Sequence, residues 1–302
     1  MSNTKLPKIG FIGLGLMGSA IVNRLQDLNY TLTVLGRKRN DGINKAESRG
    51  ATVATNASEV AQASDIIFIC VDTSKSVESI MLNENGLLEG LKAGSLVIDL
   101  GTSLPESTKM LGDKIKEKGA SYMDAPLGRT PKHALDGLLN IMSAGEKSDF
   151  DRVKPVLEDI GENVFHVGAL GAGHTLKLIN NFFGMTLATA MSESFAMADL
   201  AGIKREDLYG IMSAGPLHSM MMDFVKANAV DGNSKSLGFS IGNAHKDLSY
   251  YVSMTEALNV TSGIATGTKA TLGSAVDQGK GDLDVPDMVS HLAGEFAKTV
   301  KK

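Results

Sequence analysis

The stretch Lys8-Ile9-Gly10-Phe11-Ile12-Gly13-Leu14-Gly15-Leu16-Met17-Gly18 decides the fold. Residues 8–12 read as a short apolar strand, and Ser19-Ala20-Ile21-Val22-Asn23-Arg24-Leu25 behind the glycines has helical character. Strand, glycine turn and helix follow in the order that a dinucleotide site requires. Gly13 permits the tight turn, Gly15 lets a pyrophosphate approach the backbone, and Gly18 lets the helix pack closely on the strand. The helix N-terminus then aims its N–H groups at the phosphates, with Leu14, Leu16 and Met17 completing the cradle. A second strand, Thr31-Leu32-Thr33-Val34-Leu35, follows the helix and makes the motif far more specific than a lone GxGxxG.

The end of that second strand bears on which dinucleotide is bound. An Asp or Glu about 20 residues beyond the glycines holds the ribose 2′-hydroxyl in NAD sites. Here the strand runs into Gly36-Arg37-Lys38-Arg39-Asn40, with three cations and no acid. Arg37 can stack on adenine and fork to a 2′-phosphate, while Lys38 or Arg39 adds charge. The expected cofactor is NADP(H) in preference to NAD(H), which stays possible.

At 302 residues the chain exceeds the usual size of one domain, so two cores are expected. A net charge of −4 suggests no general affinity for nucleic acid or an anionic membrane. The single cysteine, Cys70, lies in the apolar run Asp65-Ile66-Ile67-Phe68-Ile69-Cys70-Val71 and reads as a buried strand residue, which excludes an intrachain disulfide framework. No apolar run approaches the ~20 residues of a membrane span, and no signal-peptide pattern precedes the first strand. A soluble, cytoplasmic protein is the expectation. Six histidines show no metal-ligand spacing, so no metal is expected. Ser19, Ser143 and Ser192 stand in no nucleophile pattern.

Up to about residue 168, short apolar runs alternate with helical segments. The runs include 65–71, 95–100, 120–124, 138–143 and 163–167, a pattern that predicts a doubly wound α/β sheet. After Gly168-Ala169-Leu170-Gly171-Ala172-Gly173 the pattern becomes helical, beginning with a long apolar stretch over 174–200. The expected organisation is an N-terminal Rossmann-type domain, 1–168, followed by an all-α domain, 169–302. A helix so long and apolar predicts burial between domains or subunits, hence a homodimer or homotetramer.

Within that helix, Lys177, Asn180, Asn181 and Gly184 fall at i, i+3, i+4 and i+7, on one face. The face is polar where a core face should be apolar, and buried ammonium and amide groups need partners. Such a face asks for a ligand.

Five motifs in order resemble the β-hydroxyacid dehydrogenase family, which includes 3-hydroxyisobutyrate dehydrogenases and several semialdehyde reductases. They are residues 10–18, Asp99-Leu100-Gly101-Thr102-Ser103, Asp124-Ala125-Pro126-Leu127-Gly128-Arg129-Thr130, residues 171–181 and His245-Lys246-Asp247-Leu248. The resemblance implies that Lys177 is the general acid/base, supplying a proton to the alkoxide that forms as hydride reaches a carbonyl carbon. Asn181 would hold substrate oxygen and ammonium in register, and Asn180 would also serve the substrate. It further assigns Val71 to the cofactor, Thr102 to the boundary of cofactor and substrate, Lys246 to the nicotinamide end, Phe239 to packing beside the ring, and Asp247 to a supporting pair with a lysine.

Two departures matter. Much of the family has Ser-Gly-Gly where this chain has Gly128-Arg129-Thr130, which resembles the sulfolactaldehyde reductase branch. An arginine there is a planar fork for a carboxylate or sulfonate, and Thr130 adds a hydroxyl. Val71-Asp72-Thr73 stands where the family often has proline. The implied activity is NADP-dependent reduction of a small acid-bearing aldehyde of semialdehyde, glyoxylate or sulfolactaldehyde type, reversible as a 3-hydroxyacid dehydrogenase. The alternatives are an imine reductase of the same architecture and a non-catalytic dinucleotide-binding interaction module.

Overall fold

The computed structural model describes residues 6–36 and 39–300. The chain divides into two units, Met1–Lys177 and Leu178–Lys302.

In the first unit, β1 (Ile9–Ile12), α1 (Leu16–Asp27), β2 (Leu32–Leu35), α2 (Asp41–Ser48), β3 (Thr52–Ala54), α3 (Ala57–Ala63) and β4 (Ile66–Ile69) alternate as the apolar pattern requires. They are followed by α4 (Ser74–Leu82), α5 (Leu87–Gly90), β5 (Leu96–Asp99), α6 (Pro105–Lys116) and β6 (Ser121–Asp124). The six strands form one parallel sheet in the order β3-β2-β1-β4-β5-β6. Every residue of β1, β4 and β5 is buried, as expected of parallel strands covered on both faces. Phe11 lies in register with Val34 on one side and Phe68 on the other. The strand order reverses direction between β1 and β4, and the carboxyl ends of these strands are where an open α/β sheet binds its ligand.

Two of the expected strands belong elsewhere. β8 (Leu139–Ser143) and β9 (Gly161–His166) form a separate three-stranded sheet with β7 (Leu127–Gly128), in the order β7-β8-β9. β7 and β8 pair antiparallel across the short α7 (Pro131–Leu135), a connection too brief for a parallel crossover. α8 (Lys147–Ile160) then supplies the crossover that makes β8 and β9 parallel. β3 escaped the sequence reading because it is three residues long with an exposed first residue, too little to display a period.

α9 (Ala172–Leu200) begins in the first unit and continues into the second, which adds α10 (Arg205–Ser213), α11 (Met220–Ala229), α12 (Ile241–Ala257), α13 (Gly263–Asp277) and α14 (Met288–Val300). Phe195, Val225, Leu248, Leu272 and Met288 form the centre of its core, and Phe182 stacks on Tyr251 at 4.4 Å. Among the described residues this unit contains no strand beyond the isolated bridge between Ser240 and Asp284. None of the described helices is long and apolar enough to cross a membrane.

Candidate active site

The glycine turn after β1 is fixed by its own chain. Gly13 has φ +98°, and a Cβ built there would lie 2.2 Å from the carbonyl oxygen of Cys70. A Cβ on Gly18 would lie 1.9 Å from the Gly13 oxygen, so α1 can approach the turn only with glycine there. Gly15 differs: a Cβ there meets nothing within 4 Å. Gly15 is also the N-cap of α1 and provides no side-chain cap, so the first-turn N–H groups have no side-chain acceptor from that position. This arrangement fits a pyrophosphate.

Asn40, read only as part of the basic loop, locks this cradle. Its Nδ2 donates to the Leu14 oxygen at 3.0 Å, which Ser19 Oγ also reaches at 3.0 Å, while its Oδ1 accepts from Ile43 N and caps α2. The sequence signal was an Asn directly before a helix start. Of the three cations expected at the ribose, Arg37 and Lys38 lie outside the described residues. Arg39 pairs with Glu47 on α2 and thus points its charge at the protein's own acid.

Near Leu35 at the end of β2, a hollow of about 280 Å³ is lined by Thr55, Asn56, Ser79 and Ile80. Val71, half-buried, leads from β4 towards Thr73, which caps α4 through Ser76 N at 3.0 Å. Ser76 Oγ donates to Asp72 Oδ1 at 2.9 Å, which makes Asp72 part of the loop's internal bracing. Cys70 lies one residue past β4 and is half-buried; burial and the nearby Asp99 push its thiol up to about 12, which keeps it protonated at neutral pH.

β5 and β6 end side by side on Asp99 and Asp124, which are register partners. Asp99 accepts from Gly101 N and Ser103 Oγ, each at 2.8 Å, which shapes the loop that carries half-buried Thr102. Asp124 accepts from the N–H groups of Gly171 and His174, each at 2.7 Å, and so caps the start of α9. Burial raises the Asp124 carboxyl above its ordinary range against the opposing pull of His174. Burial and the two aspartates push the Tyr122 hydroxyl well up. In the sequence these aspartates stand only as members of two motifs, and nothing beside His174 there marks a role for it.

On α9, Lys177 is half-buried, Asn180 exposed and Asn181 buried. Within the second unit, Asn181 Nδ2 donates to Asp247 Oδ2 at 2.6 Å, and Asn180 Nδ2 reaches Asn181 Oδ1 at 3.2 Å. Lys246 Nζ lies 3.1 Å from Asp247 Oδ1 and 5.3 Å from the centre of the Tyr250 ring. Asn181, Lys246 and Asp247 are therefore one cluster. Phe239 is half-buried beside Ser240, whose hydroxyl caps α12.

Beyond Gly128, Arg129 is not the open fork that the sequence suggests. Its Nη1 donates to Glu162 Oε2 at 2.5 Å and to the Leu138 oxygen at 2.7 Å. Its φ of +75° is left-handed, a conformation that suits glycine and costs an arginine about 1 kcal/mol. Thr130 Oγ1 shares a hydrogen with His133 Nδ1 at 2.8 Å.

Residues 8–168 match the family described as the NAD binding domain of 6-phosphogluconate dehydrogenase, and residues 171–292 match the NAD-binding domain of NADP-dependent 3-hydroxyisobutyrate dehydrogenase. A 2-(hydroxymethyl)glutarate dehydrogenase of Eubacterium barkeri is 32% identical over 80% of this chain and 80% of its own. The 3-sulfolactaldehyde reductase of Escherichia coli (strain K12) is 29% identical over 96% of this chain and 98% of its own. Cytokine-like nuclear factor N-PAC of Mus musculus is 28% identical over 91% of this chain, which spans only 50% of that relative's length. Among solved structures, Mycobacterium tuberculosis 3-hydroxyisobutyrate dehydrogenase with L-serine superposes with a TM-score of 0.84 at 22% identity, covering 95% of this chain and 99% of that one.

Proposed function

Because the chain belongs to the 3-hydroxyisobutyrate dehydrogenase-like family of β-hydroxyacid dehydrogenases, we propose that it reduces a small acid-bearing aldehyde to the hydroxyacid, preferring NADP(H), and runs in reverse as a 3-hydroxyacid dehydrogenase. The observation that carries this reading is the pairing of a half-buried Lys177 with a buried Asn181 one turn along the same helix, the amide being anchored on Asp247.

Bound reduced nicotinamide supplies hydride to the carbonyl carbon. Lys177 Nζ gives its proton to the carbonyl oxygen, which stays on carbon as the product's hydroxyl, and takes the proton back in the oxidative direction. Asn181 holds that oxygen, and Asp247 fixes which way the amide faces by accepting from its Nδ2. The open backbone at Gly15 receives the pyrophosphate, Thr102 and Val71 flank the cofactor, and Lys246 with Phe239 serves the nicotinamide end. Arg37 and Lys38 favour a 2′-phosphate because the segment 36–40 carries cations and no acid in its sequence. Arg129 and Thr130 receive the substrate's acid group once Glu162 gives up the guanidinium, with Asn180 as a further contact.

The test is oxidation of NADPH and NADH against succinic semialdehyde, glyoxylate, tartronate semialdehyde, methylmalonate semialdehyde and sulfolactaldehyde. Turnover of one aldehyde with NADPH preferred, abolished by Lys177→Ala while NADPH still binds, is the expected result. Binding without turnover of any aldehyde would instead favour a dinucleotide-binding interaction module, the reading that the similarity to N-PAC keeps in play.

A further inference from the structure

His174 is wholly buried, and its ring sits between the two strand-end carboxylates. Nδ1 shares a hydrogen with Thr108 Oγ1 of α6 at 2.7 Å and lies 3.8 Å from Asp124 Oδ2. Nε2 lies 3.6 Å from Asp99 Oδ2, just beyond hydrogen-bond length, and has no hydrogen-bond partner of its own. An unpaired ring nitrogen is costly in this dry setting, so its place is bound up with Asp99.

The backbone at the same point is equally constrained. His174 N and Gly171 N both donate to Asp124, while a Cβ on Gly173 would lie 2.3 Å from the Met142 oxygen and 2.8 Å from Asp124 Oδ2. The first turn of α9 is thus pressed onto β6 and β8 without room for adjustment. Lys177 follows His174 by three residues, one turn along the same side of the helix.

We propose that His174 is a positioning residue for Lys177, holding the first turn of α9 against Asp99, Asp124 and Thr108 so that the ammonium is presented at one fixed height and rotation. This rests on the reading of Lys177 as the proton donor. The imidazole acts through the helix and touches neither substrate nor cofactor. Asp99 from β5 and Asp124 from β6 are the titratable groups beside it, with Tyr122 of β6 next to those two carboxylates; α6 contributes the uncharged Thr108.

The variants are His174→Gln and Thr108→Val, the latter removing the hydroxyl from Nδ1 with little change of shape. In His174→Gln, kcat falls about tenfold or more, cofactor affinity stays within about twofold, and the pH limb governed by Lys177 moves. The titration of Lys177, followed without turnover by competitive acetic anhydride labelling and mass spectrometry, moves with it. A variant that merely melts earlier, with kcat, pH limb and labelling curve unchanged, overturns the proposal. If the unaltered protein turns over no aldehyde, the functional reading fails by itself, and the labelling curve still decides the role of His174. If His174→Gln does not fold, Thr108→Val is read by the same criteria, with a smaller displacement expected.

Discussion

Asn181 donates to Asp247 across 2.6 Å, with both side chains buried and Lys246 on the carboxylate's other oxygen. A buried hydrogen bond to a charged group contributes about 1.5–3 kcal/mol, and stranding its partner costs as much again. Asp247→Ala is therefore expected to lower unfolding free energy by about 3 kcal/mol, while Asp247→Asn, which keeps an acceptor, costs about 1 kcal/mol. Urea denaturation at neutral pH measures both, and equal losses would show that the carboxylate's charge is irrelevant.

The glycines separate folding from binding. Gly13→Ala must place a Cβ against the Cys70 carbonyl at positive φ, and a loss above about 3 kcal/mol or failure to fold is expected. Gly15→Ala meets open space, so its Tm should match the unaltered protein while NADPH affinity falls about tenfold or more. Thermal melts and cofactor fluorescence titration read the two effects independently.

Acid should weaken the helical unit. Burial lowers the pKa of His245, helped by Lys269, and of His291, helped by Lys280. A histidine depressed on folding binds fewer protons folded than unfolded, so its stabilisation is complete above the unfolded pKa of about 6.5 and is lost as pH falls below it towards the folded value. The Tm should hold from pH 8 to 7 and fall between about pH 6.5 and 5, with a shallower slope in His291→Gln. Asp124 acts in the opposite sense at lower pH, since its raised pKa makes protonation easier in the fold than out of it.

On the proposed reading of Arg129 as the substrate's acid-group site, its ion pair with Glu162 competes with substrate. Glu162→Gln should lower KM for an acid-bearing aldehyde severalfold with kcat unchanged, because it frees the guanidinium. Arg129→Lys should raise KM by about tenfold, since an ammonium keeps the charge and loses the fork. Steady-state kinetics against the aldehyde found in the panel checks both. A Glu162→Gln enzyme with unaltered KM would place the acid group elsewhere.

What could be read in the sequence was local. The run from Ile9 to Gly18 showed the turn because strand period, glycine spacing and helix start all lie within one short stretch, and the Lys177 face showed itself through helical spacing alone. The second sheet was hidden because β7, β8 and β9 choose their partners by non-local pairing, which apolar runs do not encode. The buried cluster was hidden for the same reason: His174 meets Asp124 and Thr108 across separations of 50 and 66 residues. Arg129 looked available for a substrate because nothing nearby in sequence announces Glu162, 33 residues on.

The contact between Gly13 and the Cys70 carbonyl also sets an order of events during synthesis. β1 occupies the middle of the sheet, and one of its two neighbours, β4, is made long after it. A nascent chain that has emerged only as far as α2 carries the whole glycine motif yet lacks the wall against which the turn closes. Until Cys70 leaves the ribosome, β1 lacks one of its two strand partners and the turn has no wall to close against. The closing of the glycine turn thus waits on one carbonyl oxygen that the chain supplies more than fifty residues later.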